Sequence, residues 1–285
     1  MNLNILKIFY AVAKEGNITK AAVKLNYVQS NVSARIKQLE EELNVPLFYR
    51  TGKRIILTPA GRTLLLFAEK IINIEKEAEK AVEEASGGYA DIAVGFMETT
   101  ASVRLPAILT GYNKNFPGVV LNVATGSTEE LLLKVLNYEL DGAFVGGPIK
   151  HPDIEEHSVF EEELVIFSNE YLADPSDLTD KNIIVFKKGC AYRRRLEEFC
   201  RSRGILFQKV FEFDSLEAIL ACVSSGMGIT MLPRSVVKEM SGTNLKIIPL
   251  SNDDGKMTTV FIKRKDTITT KALFNFLKFA EGLNK

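Results

Sequence analysis

Apolar positions recur with a helical period as far as Ala85; beyond Ser86-Gly87-Gly88 they alternate between short strand-like runs and helical ones. Leu3, Leu6, Ile8, Phe9, Val12 and Ala13 make one face of a helix over 3–15. Gly16-Asn17 stops it, and Thr19 is placed to cap the next. Val32, Ile36, Leu39 and Leu43 fall at i, i+4, i+7 and i+11, a single buried stripe, while Gln29, Ser30, Ser33 and Lys37 lie opposite with Arg35 at the edge. Ala21, Ala22 and Leu25 give a preceding helix a small bracing face, and Asn26-Tyr27-Val28 is short enough to be the turn between them. This is the form of a helix-turn-helix. Phe48-Tyr49-Arg50 and Arg54-Ile55-Ile56-Leu57 then flank Thr51-Gly52-Lys53 as a hairpin with Gly in its turn.

Thr58-Pro59 joins a hydroxyl cap to a proline at the first helical position, and the helix it starts reaches Ala85. Within it Leu64, Phe67, Ile71, Ile74, Ala78, Ala81 and Ala85 advance by alternating steps of three and four, a heptad seam flanked by charges. At 1.5 Å per residue such a helix is about 40 Å long. The seam needs a partner, from its own chain or from a second copy.

Past the glycines, strands are expected at 92–96, 119–123 and 141–145, with helices at 103–113 and 129–137. A second set follows: strands at 163–167, 183–186, 210–213 and 257–263, and helices at 193–203, 216–225 and 270–283. Alternation of this kind predicts α/β halves with parallel sheet and a cleft between them.

Amides, hydroxyls and cations are the groups that reach base edges and phosphates in a major groove. Gln29, Ser30, Ser33, Arg35 and Lys37 are therefore the expected DNA contacts of the second helix, with Arg50, Lys53 and Arg54 in the hairpin. The motifs Ala21-Ala22, Gln29 to Ser33 (Gln-Ser-x-Val-Ser), Pro46-Leu47-Phe48-Tyr49-Arg50 and Leu57-Thr58-Pro59-Ala60-Gly61 stand in one spacing. In that spacing the run resembles the N-terminal domain of LysR-type transcriptional regulators. One position departs from the family pattern: Val28 stands where a small hydroxyl residue usually caps the recognition helix. A cap is worth ~1 kcal/mol, so it is lost or passes to a neighbour such as Ser30.

Further along, Leu140 to Ala143 and Gly226 to Pro233 resemble the same family's effector domain, which is similar to periplasmic binding proteins. The resemblance implies a winged helix-turn-helix over 1–58 and a dimerising linker helix and hinge over 59–88. It also implies a two-lobed effector domain, with lobe I at 89–160 plus 258–285 and lobe II at 161–257. The chain would be a dimer or a dimer of dimers on double-stranded DNA, two copies reading two half-sites, with a small-molecule effector and no cofactor.

Ligands of open parallel sheets bind beyond the carboxyl ends of the strands. Four strand-to-helix junctions carry small or polar residues there: Thr99-Thr100, Ser127-Thr128, Gly189-Cys190-Ala191 and Asp214-Ser215. Helix N-termini favour anions, so a carboxylate-bearing metabolite is the expected ligand. Tyr192 and Arg193, with Lys188, stand ready to bind such a group. Ser127-x-x-Glu130 and Asp214-x-x-Glu217 also read as capping boxes, and capping alone accounts for them. Thr99 and Thr100 match positions where the family contacts effectors. Cys190, at a helix N-terminus near Lys187, Lys188 and Arg193, is expected to carry a lowered pKa. It is read as a pocket-lining residue, with a redox switch as the alternative.

Charge sharpens the division. Residues 1–58 hold nine Lys/Arg and four acids, leaving 27 basic and 32 acidic of the 36 of each in the 285-residue chain. A basic head on an acidic body fits a DNA-binding module joined to one that does not bind DNA. No apolar run approaches the ~20 residues of a membrane span, and the start has no cleavage signal, so a cytoplasmic location is expected. Three cysteines and two histidines match no metal pattern, and no catalytic constellation stands out. An enzyme or a binding module without specific DNA recognition is the remaining, weakest alternative.

Overall fold

A computed structural model describes residues 1–51, 54–88, 91–172, 175–239, 245–251 and 254–283. The side chains at 50, 51, 54, 175, 176 and 237–239 are not described. Lys53 therefore lies outside the described residues, as do the side chains of Arg50 and Arg54. The chain divides into compact units at Met1–Val82 and Glu83–Lys285.

In the first unit, helices α1 (Leu3–Glu15), α2 (Ile18–Lys24) and α3 (Gln29–Leu43) precede strands β1 (Phe48–Thr51) and β2 (Arg54–Leu57) and the start of α4 (Pro59–Ala85). Gly16 ends α1 in the left-handed region at φ 58°, and the cap of α2 is the Asn17 side chain, which accepts from Lys20 N–H; Thr19 lies inside the helix. The stripe Val32, Ile36 and Leu39 is buried with Phe9, Val12, Ala21 and Ala22, whereas Leu43 sits at the rim, 38% exposed. The hairpin is antiparallel, Phe48 opposite Leu57 and Thr51 opposite Arg54.

The hairpin is pinned from two sides. Glu40 on α3 accepts from the backbone N–H groups of Leu47 and Phe48 at 2.7 and 3.2 Å. Thr58 donates its hydroxyl to Pro46 O at 2.8 Å and caps α4 by accepting from Gly61 N–H. A hydroxyl, a proline and a glycine in Leu57-Thr58-Pro59-Ala60-Gly61 thus close the wing onto the helix that follows.

The second unit is built on a sheet ordered β10-β6-β11-β5-β3-β4, with β9 also paired to β6. Its strands are β3 (Ile92–Phe96), β4 (Leu121–Thr125), β5 (Gly142–Gly146), β6 (Ile154–Ser168), β9 (Thr230–Pro233), β10 (Lys246–Pro249) and β11 (Lys256–Arg264). Only β3 with β4 and β3 with β5 run parallel; β11 with β5 and β6, and β6 with β9 and β10, are antiparallel. The expected parallel sheet is thus a mixed one, because β6 and β11 return as long ribbons. Helices α5 (Glu98–Asn115) and α9 (Lys271–Gly282) enclose an aromatic core of Phe96, Tyr112, Phe144 and Phe276. Helix α6 (Thr128–Leu136) contributes Leu131 and Val135 to a separate core.

Strand β6 continues into the rest of the unit. There β7 (Ile183–Phe186) and β8 (Val210–Phe213) pair in parallel, and α7 (Ala191–Ser202) and α8 (Leu216–Ser224) follow them. Helix α5 starts five residues before its expected Val103, so Thr99 and Thr100 lie within its first turn. No helix among the described residues is long and apolar enough to cross a membrane.

Candidate functional site

Two features of the chain carry candidate chemistry, one in each unit. The first is the outer face of α3. Gln29, Ser30, Arg35 and Lys37 are exposed on it and Ser33 is half-buried. Arg35 donates to Gln38 Oε1 at 3.3 Å, and Lys37 lies 3.5 Å from Glu41, both contacts loose and solvent-facing. Exposed pairs of that kind exchange readily for phosphate or base acceptors. No side chain caps the first turn of α3, for Val28 makes no cap hydrogen bond and Ser30 does not replace it. The positive end of the helix dipole is left without a side-chain acceptor.

In α4 the inner residues Gly61, Ala68 and Ile72 are buried, but the heptad seam is not. Phe67 is 59% exposed and Ile74 63%, and Ile71, Ala78, Ala81 and Ala85 are open as well. Only Leu64 of the seam packs on the core of the first unit.

In the second unit a cavity of about 350 Å³ opens between the N-terminal ends of α5 and α6 on one side and β7, α7 and β8 on the other. Thr99, Ser127, Thr128, Cys190 and Tyr192 line it; Thr100, Arg193 and Ser215 do not. Thr99 donates to the Tyr192 hydroxyl at 3.0 Å, a buried bond across the cavity wall. Burial also pushes the Tyr192 phenol far above its ordinary pKa, so it stays a neutral donor. Thr128 donates weakly to Met97 Sδ at 3.4 Å and accepts from Gly146 N–H. Ser127 and Glu130 form the full capping box that the sequence indicates. The backbone N–H of Glu129 donates across the cleft to Gly189 O at 3.3 Å.

Two of the three residues outside the lining have visible occupations. Arg193 is buried on Glu197 and Glu212, at 2.8 and 2.7 Å, so its guanidinium is spent within α7 and β8 and is not offered to a ligand. Ser215 caps α8 by accepting from Ala218 N–H, taking the role expected of Asp214. Thr100 Oγ1 is buried and makes no hydrogen bond of ordinary geometry, with the Tyr192 hydroxyl close by.

Cys190 corrects an expectation. It is 8% exposed, and burial raises the thiol pKa above its ordinary value despite the neighbouring N–H groups and arginines. Desolvation of a thiolate outweighs the helix terminus here. Cys200 is also buried and likewise raised, to about 11, and helix α7 separates the two without a break.

Asp214, of the fourth junction, lines the cavity too, and so do residues outside the four junctions: Met97, Glu98, Thr125, Gly126, Phe186, Lys187 and Phe213. Each of these seven precedes a junction by one to three residues, so the signal in the sequence is adjacency to strand ends. Lys187 is paired with Asp214.

Comparison with known proteins agrees with this arrangement. Residues 3–62 match the model of the bacterial regulatory helix-turn-helix protein, lysR family, and residues 89–283 that of the LysR substrate binding domain. The transcriptional regulator GltR of Bacillus subtilis is 44% identical over 282 residues, covering 97% of this chain and 95% of that protein. SoxR of an Arthrobacter species is 41% identical over 279 residues, covering 98% and 96%. Among solved structures, CbnR complexed with its target DNA matches with a TM-score of 0.68 at 22% identity over 99% of both chains. Full-length OxyR of Pseudomonas aeruginosa gives 0.74 at 23% identity, covering 98% and 94%. These two likenesses speak for the fold alone. The relatives are named as transcriptional regulators, not as enzymes. From its helix-turn-helix to its last helix, the chain belongs to the LysR family, DNA-binding transcriptional regulators with an effector-binding domain.

Proposed function

We infer that this regulator works as a homodimer, or a pair of dimers, joined along the α4 seam. Each head reads a half-site of double-stranded DNA with Gln29, Ser30, Ser33 and Arg35, and Lys37, Arg50, Lys53 and Arg54 hold phosphates. The exposed seam and the uncapped, polar N-terminal face of α3 support that reading.

Its activity is set by a small carboxylate-bearing metabolite in the cavity between residues 89–160 with 258–285 and residues 161–257. The observation that carries this is the cavity itself, walled by both halves and spanned by the Thr99–Tyr192 bond. A ligand that binds one closure of the halves more tightly shifts their equilibrium, and through the linkers the spacing of the heads. The redox alternative through Cys190 needs a thiolate, and a buried thiol with a raised pKa disfavours it.

The experiment is a thermal-shift screen of the full chain against organic acids and amino acids, repeated with Thr99→Val. A rise in Tm with one carboxylate that the variant abolishes supports a metabolite sensor. No rise with any metabolite, together with an oxidant response lost in Cys190→Ser, would put the redox reading first.

A further inference from the structure

The charges in the cleft do not match a simple anion site. Three acids line the cavity, and two of them are engaged. Asp214 is paired with Lys187, and the Glu130 carboxylate accepts from the Ser127 backbone N–H while the Glu130 N–H donates to the Ser127 hydroxyl. Glu98, in the first turn of α5, has neither an ion pair nor a hydrogen bond among the described residues. It is half-buried, and the charge of Glu217 at the start of α8, a residue that does not line the cavity and accepts from the Ser215 hydroxyl at 2.8 Å, also disfavours its ionised form. Burial and that neighbour both raise its pKa, the cost of a carboxylate without a cation. The cations divide in the same way: Lys187 is engaged with Asp214, whereas Lys188 lines the cavity without an ion pair among the described residues.

Among the described residues the cleft thus offers one free carboxylate and one free ammonium, with the hydroxyls of Thr99, Ser127, Thr128 and Tyr192 between the walls. We propose that the effector is a zwitterion of amino-acid size, its ammonium held by Glu98 and its carboxylate by Lys188 and the hydroxyls. This rests on the reading of the cleft as the effector site and narrows it. A carboxylate without an ammonium would leave Glu98 uncompensated. An amine without a carboxylate would leave Lys188 unmatched. A zwitterion answers both, and because Glu98 and Lys188 stand on opposite walls, a ligand that engages both favours closure.

The test is isothermal titration calorimetry on the full chain with three panels. They are L-amino acids, the matching carboxylic acids without the amino group, and the matching amines without the carboxylate. The expected result is an amino acid that binds at least about tenfold more tightly than either of its truncated analogues. In Glu98→Gln, and in Glu98→Asp should the first variant melt early, that preference over the desamino acid falls while binding of the desamino acid stays the same. Equal binding of the desamino acid by the unaltered chain overturns the zwitterion and leaves the carboxylate reading standing. Equal binding of the amine overturns the assignment of Lys188 and with it the zwitterion. Absence of binding across all three panels overturns the cleft reading together with this one.

Discussion

Gly61, in the first turn of α4, lies against the carbonyl of Leu47 so closely that a Cβ there would sit 2.1 Å from Leu47 O. Leu47 cannot yield freely, since its N–H is held by Glu40 at 2.7 Å. The wing is therefore wedged between α3 and α4 by backbone contacts that only glycine permits. Gly61→Ala should cost the DNA-binding unit ~2–3 kcal/mol, a large overpacking penalty. Guanidinium unfolding of the full chain would read it in the transition of that unit. A loss below about 0.5 kcal/mol, the range of ordinary surface changes, would mean that the hairpin shifts at no cost.

The seam on α4 gives a second prediction. Phe67 and Ile74 are 59% and 63% exposed in the single chain, so a charge at either should leave the fold of one copy intact. In a dimer it would be buried without a partner. Phe67→Glu and Ile74→Glu should each raise the dissociation constant about a hundredfold, measured by analytical ultracentrifugation. A sedimentation profile unchanged in both variants would place the dimer contact elsewhere.

Cysteine chemistry offers a third. Cys190 and Cys200 are buried with raised pKa values, and Cys222 is half-buried. Chains retaining only Cys190 or only Cys222 should differ in their rate of reaction with a thiol reagent at pH 8. Cys190 should be slower by about tenfold or more, because the thiolate is the reacting form. Faster reaction at Cys190 would restore the redox alternative.

A fourth concerns acid. The Arg264 guanidinium donates to Asp266 at 2.7 and 2.8 Å and Tyr138 donates to it at 2.9 Å, which holds the Asp266 pKa down at about 2. A depressed folded pKa contributes stability above the unfolded value of roughly 4. That contribution fades as pH falls through the folded value of about 2. Asp266→Asn should therefore be less stable than the unaltered chain at pH 6, and the two should converge near pH 2. A constant difference across that range would mean that the substitution acts through packing.

How much of this is legible in the sequence depends on whether the cause is local. The helix-turn-helix, the wing and the long linker follow from period and from turn residues, and their bounds agree with the structure to within a residue or two. Strands β7 and β8 are short apolar runs between turn signals and read as such. Strand β6 does not: Glu155, Glu156, Glu161 and Glu163 interrupt it, and their place becomes clear only beside β11, a hundred residues later, where Glu163 faces Lys256 and Glu155 reaches Lys263 at 2.8 Å. The same holds in the cleft. Of the two partners of Arg193, Glu197 is local, but Glu212 stands on β8 and is brought near only by the pairing of β7 with β8. Glu98 does not stand out in the sequence because the apolar period points to a helix start at Val103, whereas α5 begins at Glu98.

Strand β6 is hydrogen-bonded to β11 from Ile154 to Glu163 and to β9 from Leu164 to Phe167, without a gap between the two ladders. It therefore behaves as a torsion spring and not as a free joint. Wide opening of the cleft would have to tear ladder bonds near Glu163 and Leu164, whereas a small twist strains all of them slightly. Any movement that this ribbon passes on is a twist of limited amplitude, reversed when the strain is removed.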